Sequence, residues 1–313
     1  DGAQLVEEQR VVTVRNLWTF ETSCFNMLRG RRPLGTQGRL TPDEVAASCE
    51  GKDRCDFCDV ERMTSCEPFG RMRGEHAVTC GNVFKGAGVH GLVIWKQHFP
   101  HRLSALEVVD GFEVADQWFR CATSWDADRG KAAFPVLFWN MFRSAGASQI
   151  HPHMQVQLHT APVGKGALLR TQSKRYSTDG RDLCQDVVLA HRHLGLARDF
   201  GETVCWASLT PAVGGGEFCV LGSVGSALED IAEVTALLIA SFRRLGAEAL
   251  SIFALPVPVA GQEAWLLRLS NRGPCVPGVV DTGSCELHGV CSVVTDPFAL
   301  IGAVDDEIAT SSA

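Results

Sequence analysis

The chain has 313 residues, of which 45% are hydrophobic and 21% charged, and a formal charge of −7. That apolar fraction excludes wholesale disorder, and no apolar run approaches the roughly 20 residues that cross a bilayer. The acidic balance excludes a general nucleic-acid binder, which needs a basic footprint.

Thirteen cysteines are too sparse for a small disulfide scaffold, and their odd number leaves at least one unpaired within the chain. We read most of them as reduced thiols, which favours a reducing compartment. Residues 1–30 lack the order of charges and apolar residues expected of a secretory leader. The chain opens on Asp1 rather than Met, as it would if a further segment preceded it.

Residues 1–75 read as irregular, with turn formers at Gly35, Gly38, Pro42 and Gly51. Beyond them, His76–Phe84 and His90–Lys96 are predicted strands joined by a glycine-containing turn. Ser104–Thr123 carries Leu106, Val109, Phe112, Ala115 and Phe119, the stripe of an amphipathic helix. Ser104 and Glu107 form its capping box. Phe134–Phe142 and His151–His159 are two more predicted strands.

The second half repeats this order. Strands are predicted at Thr203–Leu209 and Glu217–Leu221, and a helix over Ala227–Gly246, with Ser226 and Glu229 as its cap. Two strands follow, at Leu250–Val257 and Glu263–Leu269. Strand, strand, helix, strand, strand occurs twice, which points to a duplicated antiparallel α+β unit. A helix near Asp182–Leu194 lies in the connection, and the tail from Asn271 reads as loop-rich.

One stretch concentrates the chemistry. In a strand, His151, His153, Gln155, Gln157 and His159 share one face, while Ile150, Pro152, Met154, Val156 and Leu158 share the other. One face can enter a core while its opposite presents imidazoles and amides to a cavity. An exposed edge strand, with Pro152 as its marker, is the bland alternative. Upstream stand Asn140 and the turn Gly146-Ala147-Ser148-Gln149. The pair Cys55 and Cys58, spaced CxxC, is a weak signal alone, but with two histidines it would complete a tetrahedral zinc set.

This combination resembles the nucleotidyltransferase branch of the histidine-triad superfamily. That branch includes hexose-1-phosphate uridylyltransferases and the nucleoside-diphosphate-sugar and dinucleoside-tetraphosphate phosphorylases. The carrying residues are Asn140, Gly146, Ser148 and His151-Pro152-His153-Met154-Gln155. The resemblance implies two fused histidine-triad-like antiparallel sheet-plus-helix halves, within an α+β fold. Residues 1–165 would be catalytic, and 166–313 a degenerate half that ends in the loop-rich tail.

It also implies that His153 forms a covalent nucleotidyl-imidazole, assisted by the backbone carbonyl of His151. Gln155 would donate to a phosphate oxygen, Ser148 and the Gly146 turn would hold the leaving phosphate, and Asn140 would orient the phosphate or the turn. Asn82 would border the nucleoside, and Arg29 and Arg32 would approach its phosphates, unless they are only a solvated basic turn.

By the same resemblance, Cys55, Cys58, His98 and His151 would hold a structural zinc. His101 competes with His98, and Cys49 and Cys66 are alternative ligands. The tail residues Asp281, Cys285, Glu286, His288 and Cys291 are metal-capable but have no standard spacing. The expected partners are a nucleotide sugar or dinucleotide and a phosphate acceptor, with a homodimer or a place in a larger assembly left open. The branch carries glycine where this chain has Phe142, a departure that also fits a catalytically idle structural subunit.

Overall fold

The structure is a computed structural model and describes residues 10–27, 44, 55–127, 133–177, 180–273 and 290–311. It is an α+β fold built on one nine-stranded antiparallel sheet and one three-stranded sheet. The small sheet joins β1 (Val12–Arg15), β2 (Thr22–Phe25) and β12 (Val290–Val293). The large sheet contains β3 (Ala77–Gly81), β4 (Val89–Trp95), β5 (Phe134–Asn140), β6 (His153–His159), β7 (Ala197–Phe200), β8 (Thr203–Ala207), β9 (Glu217–Leu221), β10 (Leu250–Val259) and β11 (Gln262–Asn271).

Their lateral order is β3-β4-β6-β5-β10-β11-β9-β8-β7. Setting β7 aside, it reads first, second, fourth, third strand of each repeat inward from either edge. The two four-strand sets meet where β5 pairs with β10, with Phe138 opposite Phe253. One sheet therefore runs through both sets.

Three helices cover one face: α1 (Ala105–Ala127), α4 (Ala232–Arg244) and α5 (Pro297–Ser311). The cap of α1 forms as expected: Ser104 N–H donates to Glu107 Oε2 (2.8 Å) and Glu107 N–H to Ser104 Oγ (3.3 Å). At α4 the expected cap shifts by one residue. A 3₁₀ turn precedes the helix, and Ala227 N–H donates to Asp230 Oδ2 at 2.8 Å.

The main core lies between these helices and the sheet. Met154, Val156 and Leu158 of β6 point into it beside Phe112 and Trp118, as the strand's parity predicts. Close approach is secured where glycine is required. A Cβ on Gly91 would fall 2.6 Å from the Trp118 ring, and one on Gly111 would fall 2.3 Å from Trp95. The other sheet face is covered by α2 (Gly164–Tyr176) and α3 (Leu183–His193), and by the turn at residues 55–63.

Several elements depart from the sequence reading. The hairpin β1–β2 lies in a stretch that reads as irregular, α2 and β7 in the connection, and β12 and α5 in the tail. The hairpin is tied down by Glu21, which accepts from Arg268 Nη1 (2.7 Å) and Lys165 Nζ (2.6 Å). No helix among the described residues is long and apolar enough to cross a membrane.

Burial raises the Glu21 carboxyl, but Arg268 and Lys165 outweigh it and hold its pKa at about 2, against 4.5 ordinarily. A depressed carboxyl stabilises the fold above its unfolded value and loses that contribution as pH falls through the folded one. Glu21→Gln should therefore lower the urea midpoint at neutral pH. Its deficit against the unmodified chain should shrink between pH 4.5 and about 2, as urea titrations across that range will show.

Candidate active site

The polar face of β6 opens on a cavity of about 410 Å³, on the side of the sheet away from α1. Its walls come from four places. His153 and Gln155 stand on β6, and Cys80 and Leu92 on the neighbouring strands. Asn82, Val83 and Phe84 come from the β3–β4 turn, and Ser148 and Gln149 from the loop before β6. Asp56 and Phe57, from the turn after Cys55, close the remaining side.

His153 keeps 8% of its surface, and its ring lines this cavity. Its Nδ1 lies 2.9 Å from the His151 carbonyl oxygen, so Nδ1–H donates there and Nε2 keeps the lone pair. Burial lowers the imidazole pKa, against the carbonyl contact, so the ring is neutral at pH 7. Phe57 packs edge-on against the ring, with centroids 5.1 Å apart.

Gln155 is oriented by a residue that the sequence reading missed. Gly86 N–H donates to His90 Nδ1 (2.9 Å), so His90 Nε2 carries the proton and faces Gln155 Oε1 at 3.0 Å. With its oxygen engaged, Gln155 has its amide N–H free to donate. Asn82 Nδ2 lies 3.1 Å from the same nitrogen, and Asn82 Oδ1 accepts from Phe84 N–H (2.9 Å). No sequence signal marks His90, because only the register places it opposite Gln157 and beside Gln155.

Cys55, Cys58, His98 and His151 form a metal-capable cluster, with all donor atoms within 4.8 Å of one another. His98 Nδ1 lies 3.1 Å from His151 Nδ1 and 3.2 Å from Cys58 Sγ. His151 Nδ1 lies 3.5 Å from Cys55 Sγ and 3.6 Å from Cys58 Sγ. A tetrahedral zinc has edges of roughly 3.4 Å between nitrogens and roughly 3.6 Å between nitrogen and sulfur, so the set fits such an ion.

His151 is prepared for that role. Its Nε2–H donates to the Trp95 carbonyl at 2.6 Å, which leaves Nδ1 as the lone-pair nitrogen. Burial pulls its pKa to about 4, so it stays neutral. Burial and the adjacent Cys55 push the Cys58 thiol up to about 11, a penalty that a bound cation would reverse.

The other expected residues divide. His101 stays outside the cluster and stacks on Phe142, with centroids 6.1 Å apart. Cys66 donates to its neighbour Glu67 and is outside it too. Asn140 sits beneath the turn, since a Cβ on Gly146 would fall 3.8 Å from Asn140 Nδ2. It is absent from the cavity wall. Arg29, Arg32, Cys49 and the tail group from Asp281 to His288 lie outside the described residues.

Phe142 adopts a backbone conformation that favours glycine. Its φ is +65° and ψ 166°, a region that side chains avoid, yet the residue is 99% buried. The loop after it is held by Ala145 and Ala147 N–H, which both donate to the Phe142 carbonyl. Gly146, at φ +96°, completes the turn that delivers Ser148 to the cavity.

Solved structures share this overall fold. An ADP-glucose phosphorylase from Arabidopsis thaliana, solved with bound ADP-glucose, superposes with a TM-score of 0.67 at 14% identity, over 94% of this chain and 98% of that one. A uridylyltransferase gives 0.63 at 14% identity, over 96% and 99%. A GalT-like protein from Arabidopsis thaliana gives 0.62 at 16%, over 80% and 91%. The chain shares the fold of these phosphorylase and uridylyltransferase structures. No family model and no curated protein sequence matches the chain.

Two outcomes follow for the site. Phe142→Ala keeps the strained backbone and empties a core position, which costs about 3–5 kcal/mol. Phe142→Gly also empties it but releases about 1–3 kcal/mol of backbone strain. The glycine variant should therefore be the more stable of the two in urea titrations, the reverse of the usual Ala–Gly order. Chelation of bound metal should lower the melting temperature, and Cys55→Ser should bring the untreated protein close to that value.

Proposed function

We propose that the chain is a nucleotidyltransferase that works by double displacement through His153. Its Nε2 attacks the α-phosphorus of a nucleoside diphosphate sugar, and the P–O bond to the sugar phosphate breaks with its electron pair. An oxygen of the acceptor phosphate then attacks phosphorus, and Nε2 leaves. The observation that carries this reading is His153 itself: Nδ1 is committed to the His151 carbonyl while the ring lines an open cavity.

That carbonyl stabilises the positive charge that the ring acquires on attack. Gln155, with its oxygen held by His90, donates its amide N–H to a phosphate oxygen, and Ser148 holds the leaving phosphate. Asn82 borders the nucleoside, and Asn140 and Gly146 act through the shape of the turn. Arg29 and Arg32 would add charge toward the phosphates. We assign zinc to the four-residue cluster, where it would fix the His151 backbone and hold Phe57 against the nucleophile. The transfer half would span residues 1–165 and the degenerate half 166–313.

The most concrete form of the reaction moves a nucleoside monophosphate between a nucleoside diphosphate sugar and a hexose 1-phosphate. A phosphorylase with orthophosphate as acceptor is the second reading. The Gly146-to-Gln149 wording favours it, as does the likeness to a phosphorylase bound to ADP-glucose. The open cavity favours either one over an idle structural subunit.

Incubation with labelled UDP-glucose and ADP-glucose should yield an acid-labile, base-stable adduct on His153. His153→Ala should abolish it while the fold and metal content persist. Gln155→Ala should slow transfer by about 10²–10³-fold. Folded, metal-loaded protein that forms no adduct with any nucleotide donor would remove the proposal. Orthophosphate and glucose 1-phosphate as rival acceptors then separate the two readings.

A further inference from the structure

The second half keeps a cavity of its own. It measures about 300 Å³ and lies over β8, β9 and β11. Its relation to the first cavity is fixed by register. Cys80, Leu92, Gln155, Phe138, Phe253, Arg268, Cys219 and Trp206 are successive cross-strand partners, so they form one row on one sheet face. The midpoint of that row falls between Phe138 and Phe253, so Arg268 corresponds to Gln155. Two residues earlier, Leu266 corresponds to His153.

Cys80, Leu92 and Gln155 line the first cavity, and Trp206, Cys219 and Arg268 line the second. Each also has an aromatic wall from an N-terminal turn: Phe57 in the first, Trp18 of the β1–β2 hairpin in the second. Trp18 is held in place, because Asn16 Oδ1 accepts from Trp18 N–H (2.9 Å) and Thr19 N–H (3.1 Å). It packs edge-on against Tyr176, with centroids 4.9 Å apart.

The charged groups on the floor of this second wall are already paired, while Arg15, which also lines it, is solvent-exposed. Leu266 cannot act as a nucleophile. Arg268 donates to Glu217 Oε1 through Nε (2.8 Å), to Glu21 Oε1 through Nη1 (2.7 Å) and to the Thr210 carbonyl through Nη2 (3.3 Å). A phosphate would meet two carboxylates already paired with that guanidinium. His191 is likewise engaged: Nδ1–H donates to the Val187 carbonyl (2.7 Å) and Nε2 accepts from Leu209 N–H (3.3 Å). Asp186 accepts from the Tyr176 hydroxyl, and the interior that remains is formed by Trp18, Tyr176, Trp206, Leu209 and Leu266, an apolar and aromatic lining around an internally neutralised floor, with exposed Arg15 beside it.

We propose that this cavity is a second ligand site, for an uncharged aromatic or heteroaromatic molecule of about two fused rings. Ring faces and edges would be met by Trp18, Tyr176 and Trp206, and no charge would have to be left unpaired on entry. The proposal stands on the cavity and its register, and is independent of the transfer chemistry.

Fluoroindole, followed by fluorine NMR with the full chain, tests it. Binding should be saturable and equal in the unmodified chain and in His153→Ala, which separates this cavity from the first. Leu266→Trp, which fills the cavity, should abolish it. Trp18→Ala, at the hairpin tip, should weaken it by about tenfold and serves if Leu266→Trp does not fold. AMP should not displace the probe. The proposal is overturned if fluoroindole fails to bind at millimolar concentration or if His153→Ala abolishes binding. It is equally overturned if AMP displaces the probe, or if neither cavity variant, while folded, changes its affinity.

Discussion

Residue 151 makes three contacts at once, and the geometry of the site depends on their compatibility. Nε2–H is bound to the Trp95 carbonyl, Nδ1 faces the two thiols and His98, and the backbone carbonyl accepts from His153 Nδ1. The first contact fixes the ring and its tautomer. The second then presents a lone pair to a metal. The third uses the same residue's backbone to decide which nitrogen of His153 remains basic. A shift of the 151 backbone would move the His153 ring and loosen the cluster together. Trp95 is itself anchored, since its Nε1–H donates to the Glu107 carbonyl at 2.6 Å and its ring packs on Trp139. The helix-side core thus sets the position of a group on the opposite sheet face.

The turn that follows Asn140 shows how a strained backbone can be absorbed. A phenylalanine at φ +65° is costly, but its ring is buried and stacked beside His101. Burying an aromatic side chain contributes about 1.5–3 kcal/mol, comparable to the backbone cost. The loop path is kept, and with it the placement of Ser148. The substitution changes what fills the space beneath the turn while leaving the backbone course glycine-like.

Much of this was legible in the sequence where local patterns carry the information. The parity of β6, the capping box at Ser104 and the repeated strand order each rest on residues a few positions apart. Grouping Cys55, Cys58, His98 and His151 needed the resemblance, because their separation of 96 residues carries no periodic signal. Other elements depend on long-range partners. The hairpin β1–β2 is held by parallel pairing with β12 and by Arg268, 247 residues from Glu21. Helix α2 is polar and opens on Gly164, so its packing against β10 outweighs its own weak propensity. Helix α5 did announce itself. Pro297 stands at its start, and Asp296 Oδ1 accepts from Phe298 N–H. The neighbouring glycines and prolines of the tail obscured that signal. His90 could not be found at all without register.

The register also explains how one fold can hold two chemically different cavities. The two four-strand sets follow the same lateral order, so positions matched by register lie on the same sheet face. At one of them Gln155 has its oxygen engaged and its N–H free, whereas at the other Arg268 is fully consumed by carboxylates. A guanidinium free of partners at that depth would demand an anion, and Glu217 and Glu21 supply it from within the chain. The same ion group anchors the hairpin that carries Trp18, so the charges that neutralise the floor of the second cavity also hold its aromatic wall in place. A paired floor and an aromatic wall are two consequences of one buried ion group.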